Sequence, residues 1–315
     1  MKIALLGFGS VGRALAQLLL QTRSPFQVTG ILTGRHGAAL HPDLRSPAFG
    51  PLLPLDAFLD AARPEVLVEL TPLDPTTGEP AISHIRAAFA RRIHAVTANK
   101  GPLAFAYHAL AAEALEAGVR FLFESTVMDG CPVFNLVRHC LPGARILGFT
   151  GVLNSTTTIV LEAMEQGRTF EEGVAEARRL GIAEASPTYD TDGWDAAVKT
   201  AALANVFWDA RVTPLDIDRR GMARLTPQRL RDLNAAGKTV RLISRASCHG
   251  NLRVRAEVIS QTDPLASAHG TSNLLLLHTD LMGTIGAFEL APTPAQTSYG
   301  ILADLFEISH QHFTP

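Results

Sequence analysis

Apolar runs with the length of strands alternate with stretches of helical spacing along the first 125 residues of the chain. The strand-like runs are residues 2–6, 28–32, 66–70, 93–96 and 120–124. Between them, residues 13–21, 81–91 and 107–117 place apolar side chains at the three- and four-residue spacing of amphipathic helices. Strands that alternate with helices are typical of an α/β fold, so we predict a doubly wound parallel sheet in this part of the chain.

The pattern changes after residue 125. Residues 148–153, 254–259 and 274–278 predict strands, residues 156–166 and 170–180 predict helices, and residues 302–306 predict a final helix. We therefore expect a first domain (1–125), a second, mixed α+β domain that binds substrate (126–290), and a C-terminal segment that returns to the first domain (291–315). The Pro-rich residues 42–54 predict a surface loop.

A glycine-rich segment lies between the first predicted strand and the first predicted helix. It consists of Gly7, Phe8, Gly9, Ser10, Val11 and Gly12. In a strand–GxGxxG–helix arrangement, Gly7 permits a tight turn, Gly9 lets backbone amides reach a pyrophosphate, and Gly12 lets helix and strand pack closely. A Gly-rich turn without function is the alternative, but this position favours dinucleotide binding.

The second predicted strand ends without the carboxylate that would bind the ribose 2′-hydroxyl of NAD. Arg35 follows that strand and is suited to a ribose 2′-phosphate, so we predict NADP rather than NAD, with a solvated loop arginine as the alternative. Thr71, Thr97 and Lys100 lie at the carboxyl ends of later strands, where doubly wound sheets bind their ligands. They are the further candidates for cofactor contacts.

Composition excludes several classes of partner. The 315 residues have a net charge of -2 and 18% charged residues, so no excess of basic residues indicates a nucleic-acid or membrane partner. A small-molecule substrate is the expectation that remains. The three cysteines, Cys131, Cys140 and Cys248, show no metal-binding spacing, and no secretion signal or long apolar segment is present. We therefore expect a cytoplasmic location.

Lysine is rare in this chain. It occurs only at Lys2, Lys100, Lys199 and Lys238, while arginine supplies the other 24 of 28 basic residues. Arginine stays protonated at any physiological pH, whereas a desolvated lysine can exchange its proton. Lys100 follows a predicted buried strand, and Lys199 follows an acid-rich run. Both are therefore candidates for proton transfer.

The acid-rich run before Lys199 has two interpretations. Asp195 and Lys199 have the i, i+4 spacing of an ordinary solvated ion pair, and Asp192 is placed to cap the helix that follows. However, residues 196–206 of that helix carry almost no charge apart from Lys199, which predicts burial. A buried group of Glu184, Asp190, Asp195 and Lys199 would instead form a site for an ammonium group.

The chain resembles the homoserine dehydrogenase family over nearly its whole length. The matching segments are residues 7–12 (GFGSVG), 69–72 (ELTP), 96–100 (VTANK), 151–154 (GVLN), 181–185 (GIAEA) and 190–199 (DTDGWDAAVK). The resemblance implies a Rossmann-type domain joined to a substrate and dimerisation domain. It also implies NAD(P)-dependent interconversion of aspartate 4-semialdehyde and homoserine, in a homodimer of the short form that lacks a C-terminal regulatory domain.

The resemblance also implies roles for individual residues. Lys199 would be the acid/base at the aldehyde oxygen, positioned by Asp195, and Lys100 would lie between nicotinamide and substrate. The substrate-binding positions would be Glu184, Asp190, Asn154 and Thr156. A monovalent cation such as Na⁺ would bind Glu124 and the main-chain carbonyls of Val127, Asp129 and Cys131.

Three segments depart from the family pattern. The family's NGT is Asn-Ser-Thr at residues 154–156, its AEADP is AEASP at 183–187, and its GxGAG near the C-terminus aligns with ELAPT at 289–293. The departures leave two alternatives open: a divergent NADP-dependent dehydrogenase of another amino-acid substrate, and a non-catalytic NADP-binding sensor. The presence of Lys199, Asp195 and Glu184 together favours an enzyme.

Overall fold

The computed structural model describes residues 1–22, 24–182, 188–222 and 225–309. Its contacts divide the chain into two units, Met1–Cys140 with Thr293–Pro315 and Leu141–Pro292. The sequence predicts the first domain boundary at residue 125. The difference arises because residues 124–130 pack against the C-terminal helix within the first unit, where Ser125 donates a hydrogen bond to the carbonyl of Thr297.

The first unit is built on a six-stranded sheet. Its strands are β1 (Lys2–Leu6), β2 (Gln27–Thr33), β3 (Gly37–Leu40), β4 (Val66–Glu69), β5 (His94–Thr97) and β6 (Phe121–Leu122). Its helices are α1 (Ser10–Gln21), α2 (Leu55–Ala62), α3 (Ala81–Phe89), α4 (Gly101–Ala117) and α5 (Val133–Asn135). The strand order is β3-β2-β1-β4-β5-β6, and every pair is parallel except the β2–β3 hairpin. The predicted Rossmann-type, doubly wound sheet is confirmed.

The sheet reverses its winding direction at β1, which lies between β2 and β4. Such a switch point opens a crevice beyond the carboxyl ends of the two central strands. Apolar side chains of β1 fill both faces: Leu5 packs with α1, and Leu6 packs with Phe58 of α2. The carboxyl ends of β1, β2 and β4 therefore lie side by side at the same edge of the sheet.

The second unit contains a mostly antiparallel sheet. Its elements are β7 (Ile146–Val152), α6 (Ser155–Glu165), α7 (Phe170–Arg179), α8 (Thr188–Thr191), α9 (Trp194–Trp208), β8 (Asp218–Arg220), α10 (Pro227–Ala235), β9 (Lys238–Ser247), β10 (Arg253–Ser260), β11 (Asn273–Thr279) and β12 (Thr284–Glu289). The strand order is β12-β11-β7-β9-β10-β8, and only β10 and β8 are parallel. Side chains of α6, α7 and α10 form an apolar cluster with β9. The predicted mixed α+β domain is confirmed.

The last described element is helix α11 (Pro294–Ser309), which packs on α1 of the first unit. A capping arrangement begins the helix: the Gln296 side chain accepts hydrogen bonds from the backbone N–H and hydroxyl of Thr293, and Pro294 occupies the first helical position. In this chain, the end of the ELAPT segment therefore forms a helix start. Among the described residues, the helices lack the length and apolar character needed to cross a membrane.

Candidate functional site

The glycine-rich segment forms the junction between β1 and α1 in the first unit. Gly7 has a φ of 102°, and a Cβ there would lie 2.6 Å from the carbonyl oxygen of Leu70. A Cβ on Gly12 would lie 2.9 Å from the Gly7 carbonyl, whereas one on Gly9 would meet no atom within 4 Å. The sharp turn and the close packing at Gly7 and Gly12 leave open space above Gly9. A pyrophosphate can approach the backbone at that point.

Phe8, Ser10 and Val11 complete this junction. Ser10 begins α1, the helix has no acidic residue in its first turn, and the N-cap residue Gly9 provides no side-chain cap. The first-turn amides and the positive end of the helix dipole therefore suit a phosphate group. Phe8 packs beside the ring of Phe49, with the two ring centroids 6.2 Å apart.

A cavity of about 590 Å³ lies within the first unit, at the carboxyl ends of its strands. The apolar lining includes Leu6, Leu32, Leu52, Leu53 and Leu73, while Gly34, Thr71, Asp74, Glu79 and His84 supply polar groups. Its position at the β1–β4 switch point, beside the glycine-rich segment, is that of a dinucleotide pocket.

Arg35 lies in the β2–β3 turn, next to Gly34 of the cavity wall, and its side chain is exposed. The sequence pattern does not predict β3 or the hairpin that it forms with β2. Gly37 begins β3 with a φ of 86°, and a Cβ there would lie 2.0 Å from the Gly50 carbonyl, so only glycine fits this return. The hairpin therefore fixes the position of Arg35 in the turn between β2 and β3.

Glu69 joins the ends of β4 and β5. It is fully buried, and its carboxylate accepts the hydroxyl hydrogen bonds of both Thr71 and Thr97. Asn99 extends this network by donating to the carbonyl of Thr71, 3.0 Å away. The hydroxyls of the two predicted cofactor contacts therefore hold the strand ends in place, and Glu69 is a site residue that the spacing of the motifs did not identify. Lys100 follows as the N-cap residue of α4.

A second cluster of polar groups lies within the second unit, where β7 meets α6 and α9. The Lys199 ammonium donates to the carbonyl of Leu153 at 2.6 Å and lies 3.5 Å from the Asp195 carboxylate. The side chains of Lys199 and Asp195 are only 15% and 11% exposed. The low exposure of these two side chains contradicts the interpretation of a solvated helix pair. It arises because most residues of α9 are buried within the unit.

Asn154 connects the two carboxylates of this cluster. Its amide nitrogen donates to Asp190 at 2.7 Å and to Asp195 at 2.9 Å. Thr156 also hydrogen-bonds Asp190. Burial raises the pKa of Asp190, the nearby charge of Asp195 raises it further, and the hydrogen bonds from Asn154 and Thr156 oppose both effects. Four of the predicted site residues of this unit therefore lie in one buried cluster with Lys199, and together they suit a cationic ligand.

Two details of this region differ from the sequence-based expectations. Asp192 does not cap α9; Gly193 is the N-cap residue, with a φ of 82° that a side chain would disfavour. Asp192 instead accepts a hydrogen bond from Arg219 at its carbonyl, and Arg219 stacks 3.8 Å from the ring centre of Trp194. Sequence spacing could not show this contact, because Arg219 is distant along the chain.

The serine that replaces the family's glycine is accommodated without disturbing the cluster. Ser155 turns its hydroxyl to the carbonyl of Thr271, at 2.8 Å. Glu184, the other predicted ligand of the substrate ammonium, lies outside the described residues.

The segment predicted to bind a cation lies within the first unit. The carboxylate of Glu124 is buried and accepts the backbone N–H groups of Phe134 and Asn135 at 2.8 and 2.7 Å. Burial raises the pKa of Glu124 to about 7, even though those two hydrogen bonds lower it. Asp304 of α11 accepts the backbone N–H of Glu124 with one carboxylate oxygen, and within the described part of the chain its other oxygen has no hydrogen-bond donor. The buried carboxyl group of Asp304 therefore adjoins Glu124, one of the predicted cation ligands.

Comparisons with known proteins agree with both units. The family model described as "Homoserine dehydrogenase" matches residues 132–306, and the one described as "Homoserine dehydrogenase, NAD binding domain" matches residues 7–124. A homoserine dehydrogenase from Methanocaldococcus jannaschii is 34% identical over 98% of this chain and 98% of its own length.

Two further relatives differ in the cofactor that their names give. An NAD(+)-dependent homoserine dehydrogenase from Pseudomonas canavaninivorans is 34% identical over 99% of this chain and 97% of its own length. The structure of a hyperthermophilic archaeal homoserine dehydrogenase in complex with NADPH has a TM-score of 0.86 and 26% identity, and the match covers 99% of this chain and 98% of that one. The names of similar proteins therefore include both an NAD-dependent enzyme and a complex with NADPH.

Proposed function

The chain belongs to the homoserine dehydrogenase family, and from this premise we propose that it interconverts L-aspartate 4-semialdehyde and L-homoserine with NADP. It is an NAD(P)-dependent oxidoreductase that acts on a CH–OH group. The observation that carries the choice of substrate is the buried cluster of Asp190, Asp195 and Lys199, because an amino-acid substrate presents an ammonium group that pairs with a carboxylate.

The carboxylates have separate tasks in this proposal. Asp190, together with Glu184, binds the substrate ammonium. Asp195 lies 3.5 Å from the Lys199 ammonium and orients it. The carbonyl of Leu153 accepts one ammonium proton at 2.6 Å, which fixes the direction of the other two.

Lys199 supplies the proton in the direction of aldehyde reduction. When bound, a reduced nicotinamide dinucleotide would supply the hydride to the carbonyl carbon, and the carbonyl oxygen would then carry a negative charge. The Lys199 ammonium stabilises the negative charge that forms on this oxygen and then transfers a proton to it, which leaves homoserine and a neutral lysine. In homoserine oxidation the same amine accepts the hydroxyl proton.

The dinucleotide fits the first unit. The open space above Gly9 receives the pyrophosphate, and the cavity of about 590 Å³ receives the adenosine half. Arg35, exposed beside the cavity wall at Gly34, pairs with the 2′-phosphate and favours NADP over NAD. The contact of Lys100 with nicotinamide and substrate stays a prediction.

We also propose that a monovalent cation such as Na⁺ binds Glu124 and the carbonyls of Val127, Asp129 and Cys131. The buried carboxyl oxygen of Asp304 that lacks a donor supports this proposal, because two adjacent buried carboxylates favour a positive charge nearby.

A homodimer in the cytoplasm completes the proposal. Exposed apolar side chains lie along the β11–β12 hairpin: Leu281 and Met282 in its turn are 70% and 60% exposed, and Phe288, at the far end of the edge strand β12, is 42% exposed. A second copy of the chain would cover them. All three cysteines are free thiols, which suits a reducing compartment.

The direct test is reduction of NADP by the purified protein with homoserine as the substrate. Serine, threonine and 4-hydroxybutyrate serve as alternative substrates. Serine is one carbon shorter than homoserine, threonine carries its hydroxyl on the third carbon instead of the fourth, and 4-hydroxybutyrate lacks the ammonium. The proposal predicts that kcat/KM is highest for homoserine by at least about tenfold. A higher value for another amino alcohol would indicate a divergent dehydrogenase, and tight NADP binding without turnover of any substrate would indicate a sensor.

A further inference from the structure

Asn154 has no hydrogen-bonding hydrogen left for a substrate. Both amide hydrogens are used, one on Asp190 at 2.7 Å and one on Asp195 at 2.9 Å. The amide oxygen accepts the backbone N–H of Thr157 at 2.8 Å and thereby caps α6. The residue is 4% exposed. Resemblance to the family suggested a substrate contact here, but the contacts give a different role.

We infer that Asn154 is a positioning residue, which holds the carboxylates of Asp190 and Asp195 side by side so that they receive a substrate ammonium and the Lys199 ammonium. The inference rests on the proposed function only in naming that substrate. The orientation of the amide is unambiguous, because the two carboxylates require donors and the Thr157 N–H requires an acceptor.

Asparagine is the residue type that this position needs. Two neighbouring carboxylates repel each other, and a neutral amide with two N–H groups offsets the repulsion without adding charge. Serine and aspartate cap a helix as well as asparagine does. However, a serine hydroxyl donates one hydrogen bond and an ionised aspartate donates none, so neither can hold both carboxylates.

The role of Asn154 has a consequence for pH dependence. Within the described part of the chain, the groups that act on Asp190 are Asn154 and Thr156, which donate hydrogen bonds to it, and Asp195 and Lys199 of α9, whose charges have opposite effects on its pKa. The Asn154 hydrogen bond lowers the pKa of Asp190, so its loss raises that pKa further. A protonated Asp190 cannot pair with an ammonium. Binding of homoserine should therefore fail at a higher pH in a variant without this hydrogen bond.

The test compares Asn154→Ser with wild type and with Ser155→Ala. Serine keeps the cap on α6, so the melting temperature should stay within a few degrees of wild type. We expect the KM for homoserine to rise at least about tenfold at pH 7, the acid limb of kcat/KM to move up by about one pH unit, and the KM for NADP to stay within about twofold. Ser155→Ala removes a neighbouring hydrogen bond to Thr271 that does not involve the carboxylates, and should leave all three values unchanged.

Two kinetic results and one NMR result would overturn the inference. An unchanged KM and acid limb would show that Asn154 only caps α6, and a raised KM with an unmoved acid limb would show that it contacts the substrate directly. A wild-type protein inactive with homoserine would refute the proposed function instead. Carbon NMR titration of the Asp190 carboxyl needs no turnover, so an Asp190 pKa that is equal in wild type and Asn154→Ser would still overturn the inference.

Discussion

Burial distinguishes the charged side chains of this chain that suit catalysis or binding from those that only form ion pairs at the surface. Asp195 and Lys199 have the spacing of a common surface pair, but they are almost enclosed. Arg179 and Glu176 also pair on one helix, at 2.7 Å, yet Arg179 is 69% exposed. Only the enclosed pair lies where a proton transfer or a substrate charge would be shielded from water.

The proposed preference for NADP depends on one exposed side chain, Arg35. We expect Arg35→Ala to weaken NADP binding roughly tenfold or more, because a charge-assisted hydrogen bond to a phosphate contributes ~1.5–3 kcal/mol. NAD lacks the 2′-phosphate, so its affinity should not change. Titration of both cofactors into wild type and variant measures the difference. Arg45→Ala, at another exposed arginine before α2, is the matched control; an NADP affinity equal in Arg35→Ala and Arg45→Ala would remove Arg35 from the site.

Single residues differ in how well the sequence predicts their role. Lys199 was identifiable because lysine is rare here and because the helix around it is apolar. The positioning role inferred for Asn154 could not be identified from the sequence, because its hydrogen bonds join residues that are 36 and 41 positions apart. Such pairs are brought together by the packing of β7, α6 and α9, which no local pattern encodes.

Among the secondary-structure elements, several apolar strands and helices were predicted well, whereas others, including the long and mostly buried β9, were not. The sequence indicated β1, α1, α3, β7 and α6 to within a few residues. It missed β3, whose Gly37-Ala38-Ala39 lacks the β-branched residues typical of strands, and shortened α4 and α11, whose first turns contain proline. Pairing with β2 makes β3 a strand, so tertiary contact outweighs its weak propensity.

The packing of α11 on the loop after β6 depends on a missing side chain. A Cβ on Gly130 would lie 2.0 Å from the carbonyl oxygen of Gln296. We expect Gly130→Ala to destabilise the protein by about 3 kcal/mol, because backbone must move to relieve the overlap. Denaturant unfolding measures the change. Gly34→Ala is the control, since a Cβ there meets no atom within 4 Å; equal stabilities of the two variants would mean that α11 does not pack as described.

For the whole molecule, the sequence predicted two different sheets joined in one chain, and the structure has them. The chain returns from Pro292 to the first unit through a helix that begins at Pro294. The sequence could not place the boundaries closely, because the segment after Glu124 has no strong periodicity and joins the first unit through side-chain contacts with α11.

The proposed dimer predicts a molecular mass in solution and two substitutions that together should disrupt the dimer. Light scattering after size exclusion should give twice the 33.7 kDa of one chain. Leu281→Glu combined with Phe288→Glu should shift the protein towards monomer, because each would place a charge in an apolar interface. Leu215→Glu changes an equally exposed leucine elsewhere in the second unit and should remain dimeric. A monomeric wild type would contradict the proposal.

The most direct test of the account is the turnover of Lys199→Arg. Arginine keeps the positive charge but cannot exchange a proton at working pH. We predict unchanged folding, an NADP affinity within about twofold of wild type, and a kcat for homoserine lower by about a thousandfold, the size of a general acid–base contribution. Lys238→Arg makes the same exchange at the exposed start of β9 and should keep full activity. A kcat of Lys199→Arg close to that of Lys238→Arg would show that Lys199 transfers no proton, and would contradict the mechanism.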